Sequence, residues 1–257
     1  MVKIIIMKYI LFCTLLLLQI KSLDAQCRTA TDKEQQVINR LVTTLDGNLT
    51  PKLVDDDWAL EMKTEKNILV AEVPSSRPLM FCGNAYRADF RLKESSPLYS
   101  QLNDSVNYYM EQSSKIEEGN QALKLMEKST AFQAQEGYAI AVVENSPAFY
   151  LQDPGGGQMI DHYIKLTVPG TALAFQIWYK GVKGDEPTQQ TVLCFGDWKN
   201  NLVKAADVRW YFPYIFRHEK NTPFIENIVI VIHADAVRAN DIIKRIDWTK
   251  INAALTQ

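Results

Sequence analysis

The sequence predicts an α+β fold: a mainly antiparallel β-sheet with helices packed on it, in an α/β/α sandwich-like layout whose N- and C-terminal helices flank the strands. Three observations predict it. Over residues 85–93 apolar and polar side chains alternate without a fault, which marks a sheet with one buried and one wet face. Strand-like segments are joined by short turns such as Pro169-Gly170, whereas parallel strands need long crossovers. Long helical periodicity occurs at the two ends of the globular region and in one stretch in its middle.

Taken in order, residues 32–45 form the first helix, with Ile38, Leu41, Val42, Leu45 and Leu49 at helical spacing, Thr31 or Asp32 as its cap and Gly47-Asn48 as its end. Residues 58–73 switch to period two and read as a hairpin turning at Lys66-Asn67. The alternating strand at 85–93 follows. Residues 96–132 return to helical spacing, as two helices broken at Glu118-Gly119-Asn120. The second half is β-rich, with strands at 138–144, 148–152, 159–168, 171–179, 190–195 and 227–232. Residues 171–179 are apolar on both faces and suit a central strand. Residues 198–206 read as a short helix, and Asp235 caps a terminal helix that Asp247 restarts.

The composition bounds the function classes. With 257 residues, 47% of them hydrophobic and 23% charged, the chain can bury its own core. A net charge of −2 lacks the basic footprint of a nucleic-acid binder. Residues 1–25 read as a signal peptide: Lys3 and Lys8 precede an apolar run over 9–20, and Ala25 offers the cleavage position. The apolar run is short for a membrane span, so no integral membrane segment is expected after cleavage. The remaining chain, residues 26–257, is expected to be one α+β domain, with a division into two sub-sheets, 26–135 and 136–257, as the alternative. It would be secreted, periplasmic or otherwise held at the cell envelope.

Three cysteines remain after cleavage, an odd number that implies one disulfide and one free thiol, or an intermolecular bridge. Cys82 with Cys194 is the expected pair, since both lie in apolar strand-like contexts. Lipidation of Cys27 is the alternative fate of the third, although Gln26 is not the small residue that such a site places before its cysteine. No zinc-type spacing of cysteine and histidine occurs, and no metal or cofactor is expected.

Several segments are candidate sites. Trp210, Tyr211, Tyr214 and Phe216 form the densest aromatic segment, suited either to the core or to recognition of a carbohydrate or protein ligand. His162 shares a strand face with Ile160 and Ile164, which directs its imidazole toward the core or a pocket within it. His233 ends the last strand, and His218 reads as solvated. Arg87, Arg91 and Lys93 make a cationic strip that Glu61 and Glu65 of a neighbouring strand would neutralise. Asp55-Asp56-Asp57 lacks the spacing of a calcium loop, and the Gly155-Gly156-Gly157 loop lacks the lysine and helix of a phosphate loop. No nucleophile-base motif is present. The leading expectation is thus an exported, non-catalytic binding or interaction module. The alternative is a small secreted hydrolase-like enzyme with a pocket around His162.

Overall fold

The computed structural model describes residues 27–63, 69–71, 79–82, 86–151, 159–180, 189–204, 210–217 and 223–255. The expected signal peptide, Glu65, His218 and the loop at 155–157 lie outside them. The elements in chain order are β1 (Cys27–Thr29), α1 (Asp32–Leu53), β2 (Trp58–Lys63), β3 (Leu69–Ala71), β4 (Tyr86–Leu92), α2 (Pro97–Ser114) and α3 (Gly119–Gln133). Then come β5 (Gly137–Glu144), β6 (Ala148–Tyr150), β7 (Met159–Lys165), β8 (Leu173–Lys180), β9 (Gln189–Phe195), β10 (Val203–Lys204), β11 (Trp210–Pro213), β12 (Ile228–His233) and α4 (Ala236–Arg245). Short 3-10 turns occupy Ala134–Glu136 and Trp248–Ala254.

The fold is α+β with antiparallel pairing throughout. Seven strands form the main sheet in the order β2-β4-β5-β12-β9-β8-β7, and β10-β11-β6 form a small second sheet. Strands from before and after residue 135 share the main sheet, so the two halves of the chain do not form separate sheets. The central position belongs to β12, not to the segment at 171–179. Ile228, Ile230 and Ile232 are fully buried against one face, and Val229 is buried against the other.

Two cores result. One face of the sheet receives α1, α4 and the C-terminal 3-10 turn, burying Ile38, Leu41, Leu45, Phe90, Ile140, Ile230, Ile242 and Trp248 together. The other face receives the small sheet, with Phe149, Phe175 and Phe212 stacked at centroid separations of 5.7, 6.2 and 5.4 Å. The third layer is therefore made of strands, and the helices' buried side chains belong to the first core.

Helix α1 begins with a capping box in which the Thr31 hydroxyl accepts the Glu34 N–H while the Glu34 carboxylate accepts the Thr31 N–H. Arg28 adds two hydrogen bonds of 2.7 Å, and with the Thr31 bonds these hold the Glu34 carboxyl down at about 2, against partial burial. The helix does not stop at Gly47-Asn48. Leu49 and Leu53 prolong the buried stripe, each fully enclosed, and burial worth roughly 1.5–3 kcal/mol per leucine outweighs the ~1 kcal/mol penalty of a helical glycine.

The expected hairpin is also replaced. Strand β2 pairs with β4, while β3 pairs with β1. The turn residues read from sequence are a local signal, and the pairing is set by which apolar faces meet. Two helices do span 97–133, broken between Ser114 and Gly119. Pro169-Gly170 makes the expected turn between β7 and β8, with Gly170 at φ +83° and the Thr171 N–H bonded to the Val168 carbonyl. No helix forms at 198–204: Trp198 is buried with its indole N–H on the Phe195 carbonyl, and Val203 pairs with β11.

The disulfide joins Cys27 to Cys82, which corrects the expected pairing of Cys82 with Cys194. Strand β1 lies on β3, and the Cys82 N–H bonds the Leu69 carbonyl, so both cysteines flank the same short ladder. Cys194 is wholly buried in β9, among the residues of the second core. With its sulfur in the disulfide, Cys27 has no thiol left for a lipid.

A buried polar knot closes the end of β5. Asn145, at φ 46°, donates to the carbonyls of Leu79 and Phe224 and accepts the Glu226 N–H. Asn227 and Ser146 exchange two further bonds of 2.9 and 3.1 Å. Gly196, at φ +102°, passes beneath, where a Cβ would stand 2.4 Å from the Glu226 carbonyl oxygen. Beside the knot, the Glu144 carboxyl accepts the Phe81 N–H through one oxygen, and its other oxygen is buried without a partner.

Two expected outcomes follow from these contacts. Gly47 is helical with open space where a Cβ would go, so Gly47→Ala should raise stability by roughly 0.5–1 kcal/mol, read as a higher urea midpoint with an unchanged slope. Burial pushes the Glu144 carboxyl up to about 8, outweighing the Phe81 hydrogen bond that lowers it. The folded chain thus holds a proton that the unfolded chain releases near 4.5, so stability falls as pH rises from about 4.5 to about 8 and then levels. Glu144→Gln keeps the acceptor and removes the ionisation. Urea unfolding across that window should show a shallower decline, and an unaltered decline would mean that Glu144 is charged in the fold.

Candidate functional site

The aromatic segment at 210–216 divides between core and surface. Alternation along β11 turns Phe212 into the second core, 4% exposed, and Tyr211 to the opposite face of the small sheet. Tyr211 lies directly across from Tyr150 of β6, their rings 5.4 Å apart. Trp210 is 44% exposed at the rim of the ribbon, with the Lys204 ammonium 5.8 Å from its ring. Tyr214 is buried, its hydroxyl donating to the Glu226 carbonyl, and burial pushes its phenol up to about 12. Phe216 is half-buried against the same core. Of the four aromatics named from sequence, Trp210 and Tyr211 face solvent, while Tyr214 and Phe216 hold the ribbon down.

Tyr150 is the residue that sequence reasoning missed. It stands next to the buried Phe149 in a strand of three residues, and only the pairing of β6 with β11 shows that the two tyrosines meet. The signal was the alternation Phe149-Tyr150-Leu151, whose outer members are buried and whose middle member is half-exposed.

His162 does not enter a pocket. It lies exposed near the edge of the main sheet, its ring stacked on Trp178 at 4.4 Å and its Nδ1 2.9 Å from the Asp161 carboxylate. The reason is a bulge between Ile160 and His162, which breaks the period-two pattern that placed the histidine with Ile160. Cys194 offers no nucleophile there either: it is enclosed in β9, and burial pushes its thiol upward.

A second polar constellation crosses the sheet on the face that carries the small sheet. Asp89 of β4, Ala139 of β5 and His233 of β12 stand in register, and the Gln190 side chain of β9 reaches His233. Gln190 contacts His233 Nδ1 at 3.4 Å and accepts from the Tyr179 hydroxyl at 3.4 Å, and Arg87 binds the Asp89 carboxylate through Nε and Nη2. Burial first, then the Arg87 guanidinium, lowers the His233 pKa, while Asp89 opposes them. A neutral imidazole beside a paired arginine can exchange hydrogen bonds with a polar ligand.

Of the remaining charged candidates, Asp56 is exposed, and Asp55, Asp57, Arg91 and Lys93 are engaged within the fold. Asp55 accepts the N–H groups of Asp57 and Trp58 and pairs with Arg245, and Asp57 accepts the Ser96 hydroxyl. Arg91 meets Glu61 at 3.5 Å and Glu136 at 3.7 Å, and Lys93 donates to the Asp55 carbonyl. Among the described residues no group of three or more His, Cys, Asp or Glu is placed to hold a metal ion. No described helix is long and apolar enough to cross a membrane.

Compared with models of known protein families, with curated proteins and with solved structures, the chain matches none.

The electrostatics at His233 set a direction for each neighbour. Asp89→Asn should move the His233 titration further below its ordinary value, and Arg87→Gln should move it back up, as followed by the ring proton shifts in NMR. Equal titration in both variants would show that β4 and β12 do not communicate across Ala139.

Proposed function

We propose that this chain is an exported, non-catalytic binding module that recognises a carbohydrate or protein ligand through the outer face of its small sheet. The observation that carries the reading is the Tyr150–Tyr211 pair. Two phenols stand side by side on a ribbon of short strands, and their chain neighbours Phe149 and Phe212 clamp that ribbon to the main sheet. Rigid, amphipathic rings fixed in this way offer flat apolar area and a hydroxyl at small cost in side-chain entropy. Trp210 at the rim, on the side of Phe212, and the 71% exposed Ile215 beyond the end of β11 add apolar surface around the ribbon.

Export rests on two supports. Residues 1–25 have the charged, apolar and small-residue order of a signal peptide, and removing them leaves 25 basic and 29 acidic residues, a charge of −4. The Cys27–Cys82 disulfide suits an oxidising compartment.

The test is a binding screen of the oxidised protein against an oligosaccharide array and a surface-displayed peptide library, repeated with Tyr211→Ala and His162→Ala. Tyr211→Ala should weaken the selected ligand at least tenfold, as loss of a central aromatic contact worth about 2 kcal/mol would do, and leave the melting midpoint nearly unchanged. His162→Ala should leave binding as it is. Ligand capture that survives Tyr211→Ala, or depends on His162 instead, overturns the reading.

A further inference from the structure

Strand β3 and residues 79–82 form a small clip at the end of β5. The Ala71 N–H bonds the Met80 carbonyl at 2.8 Å, the Cys82 N–H bonds the Leu69 carbonyl at 2.9 Å, and β3 also pairs with β1. Among the described residues, β1 and β3 make a sheet of their own, with no ladder to the seven main strands. Two side chains of the β5 end reach across instead: Glu144 Oε1 accepts the Phe81 N–H and the Asn145 amide donates to the Leu79 carbonyl, each at 2.8 Å. Val70, Leu79 and Phe81 are buried in the first core. We propose that this clip is a pH-operated latch, shut while the Glu144 carboxyl is protonated and opened when that carboxyl ionises.

Glu144 is 5% exposed, and its Oε2 is buried without a partner. A neutral carboxyl tolerates that enclosure, whereas a carboxylate held by one N–H requires a cation beside it. The surrounding elements supply none. Ile228 stands opposite on β12, and Glu226 just before it turns its carboxylate to the Arg217 N–H. Tyr86, opposite Val142 on β4, sets its phenol beside Thr50 and Asp46 of α1, and Asp46 is matched by Lys63. Lys52, in the last turn of α1, is exposed, and Tyr138, at the other end of β5, is bound by Arg238. In the clip itself Cys82 is held in the disulfide. Burial alone raises the Glu144 carboxyl, and no charged side chain opposes it.

An ionised Glu144 reaches water most cheaply by lifting the clip. Strands β5 and β12 are locked into ladders on both sides, while the clip is held by three-residue strands and by side-chain bonds, one of which is Glu144's own. The opened clip stays attached. Cys82 is tied to Cys27, and the adjoining Arg28 is fastened to Glu34 of α1 by two bonds of 2.7 Å. The sign follows from the two states. With the clip open the carboxyl ionises near its ordinary 4.5, and with the clip shut near about 8. The shut form is fully favoured below 4.5, loses about tenfold against the open form per pH unit as the pH rises to about 8, and then levels.

Amide hydrogen exchange of the oxidised protein, followed by NMR, separates this opening from unfolding of the whole chain. With intrinsic rates divided out, the Ala71, Phe81 and Cys82 amides of the wild type should exchange through an opening that low urea does not speed. That opening should grow about tenfold per pH unit between about 5.5 and about 7.5. The Ile230 amide of β12 should instead follow urea, as global unfolding does. Glu144→Gln keeps an acceptor for the Phe81 N–H, removes the ionisation and should leave the clip amides' opening flat over the same range. Clip amides that share the urea dependence of Ile230, a wild-type opening that does not grow with pH, or growth that persists in Glu144→Gln overturns the latch. The wild type alone yields the first two outcomes, so the proposal can be overturned even where the variant does not fold.

Discussion

One buried amide fastens the end of β5 to two segments remote from it in sequence. The Asn145 side chain, 1% exposed, makes three hydrogen bonds to segments far apart in sequence, at Leu79, Phe224 and Glu226. At this residue the chain leaves the main sheet after β5 and turns toward the small one at β6, and its positive φ makes the turn possible. Asparagine tolerates that conformation better than most residues, and its amide offers both donors and an acceptor. A residue that supplied only the turn would forfeit all three of these bonds.

The proposed recognition surface takes its placement from this knot. Ser146, bonded to Asn227, starts the path into β6, and the Tyr214 N–H bonds the Pro147 carbonyl as β11 ends. Both strands of the ribbon are thereby fixed at the knot before Phe149 and Phe212 meet Phe175. Once those three rings pack, strand alternation leaves no choice for Tyr150 and Tyr211 except the outer face. The half-exposed pair is a consequence of how its buried neighbours are held.

Elements with a single dominant signal were legible in the sequence. The alternation of β4, the Pro169-Gly170 turn, the capping Asp235 and the divided middle helix all stand where the pattern places them. Features that depend on partners were not. Gly47-Asn48 is a sound local stop signal, overridden by Leu49 and Leu53. The disulfide depends on the pairing of β1 with β3, which three-residue strands do not announce. His162 was misplaced by one inserted residue, because a bulge resets the face of every side chain on one side of it. The aromatic segment was found, but its division between core and surface required knowledge of its partner strand.

The same logic separates structural charge from charge that is available for other work. Arg238 is rich in possible interactions, yet it lies between Trp58 and Tyr138, 4.2 and 4.7 Å from their ring centres, and pairs with Asp241. It fastens α4 to the sheet. Arg28 is committed to the cap of α1 and Arg245 to Asp55 in the same way. These cations were indistinguishable in the sequence from ones that meet a ligand, since each stands in an ordinary polar context. What distinguishes the small sheet is that Tyr150 and Tyr211 stand half-exposed side by side on its outer face while their chain neighbours Phe149 and Phe212 are anchored beneath. A surface of that kind gains by being covered, which is the physical ground of the proposed recognition role.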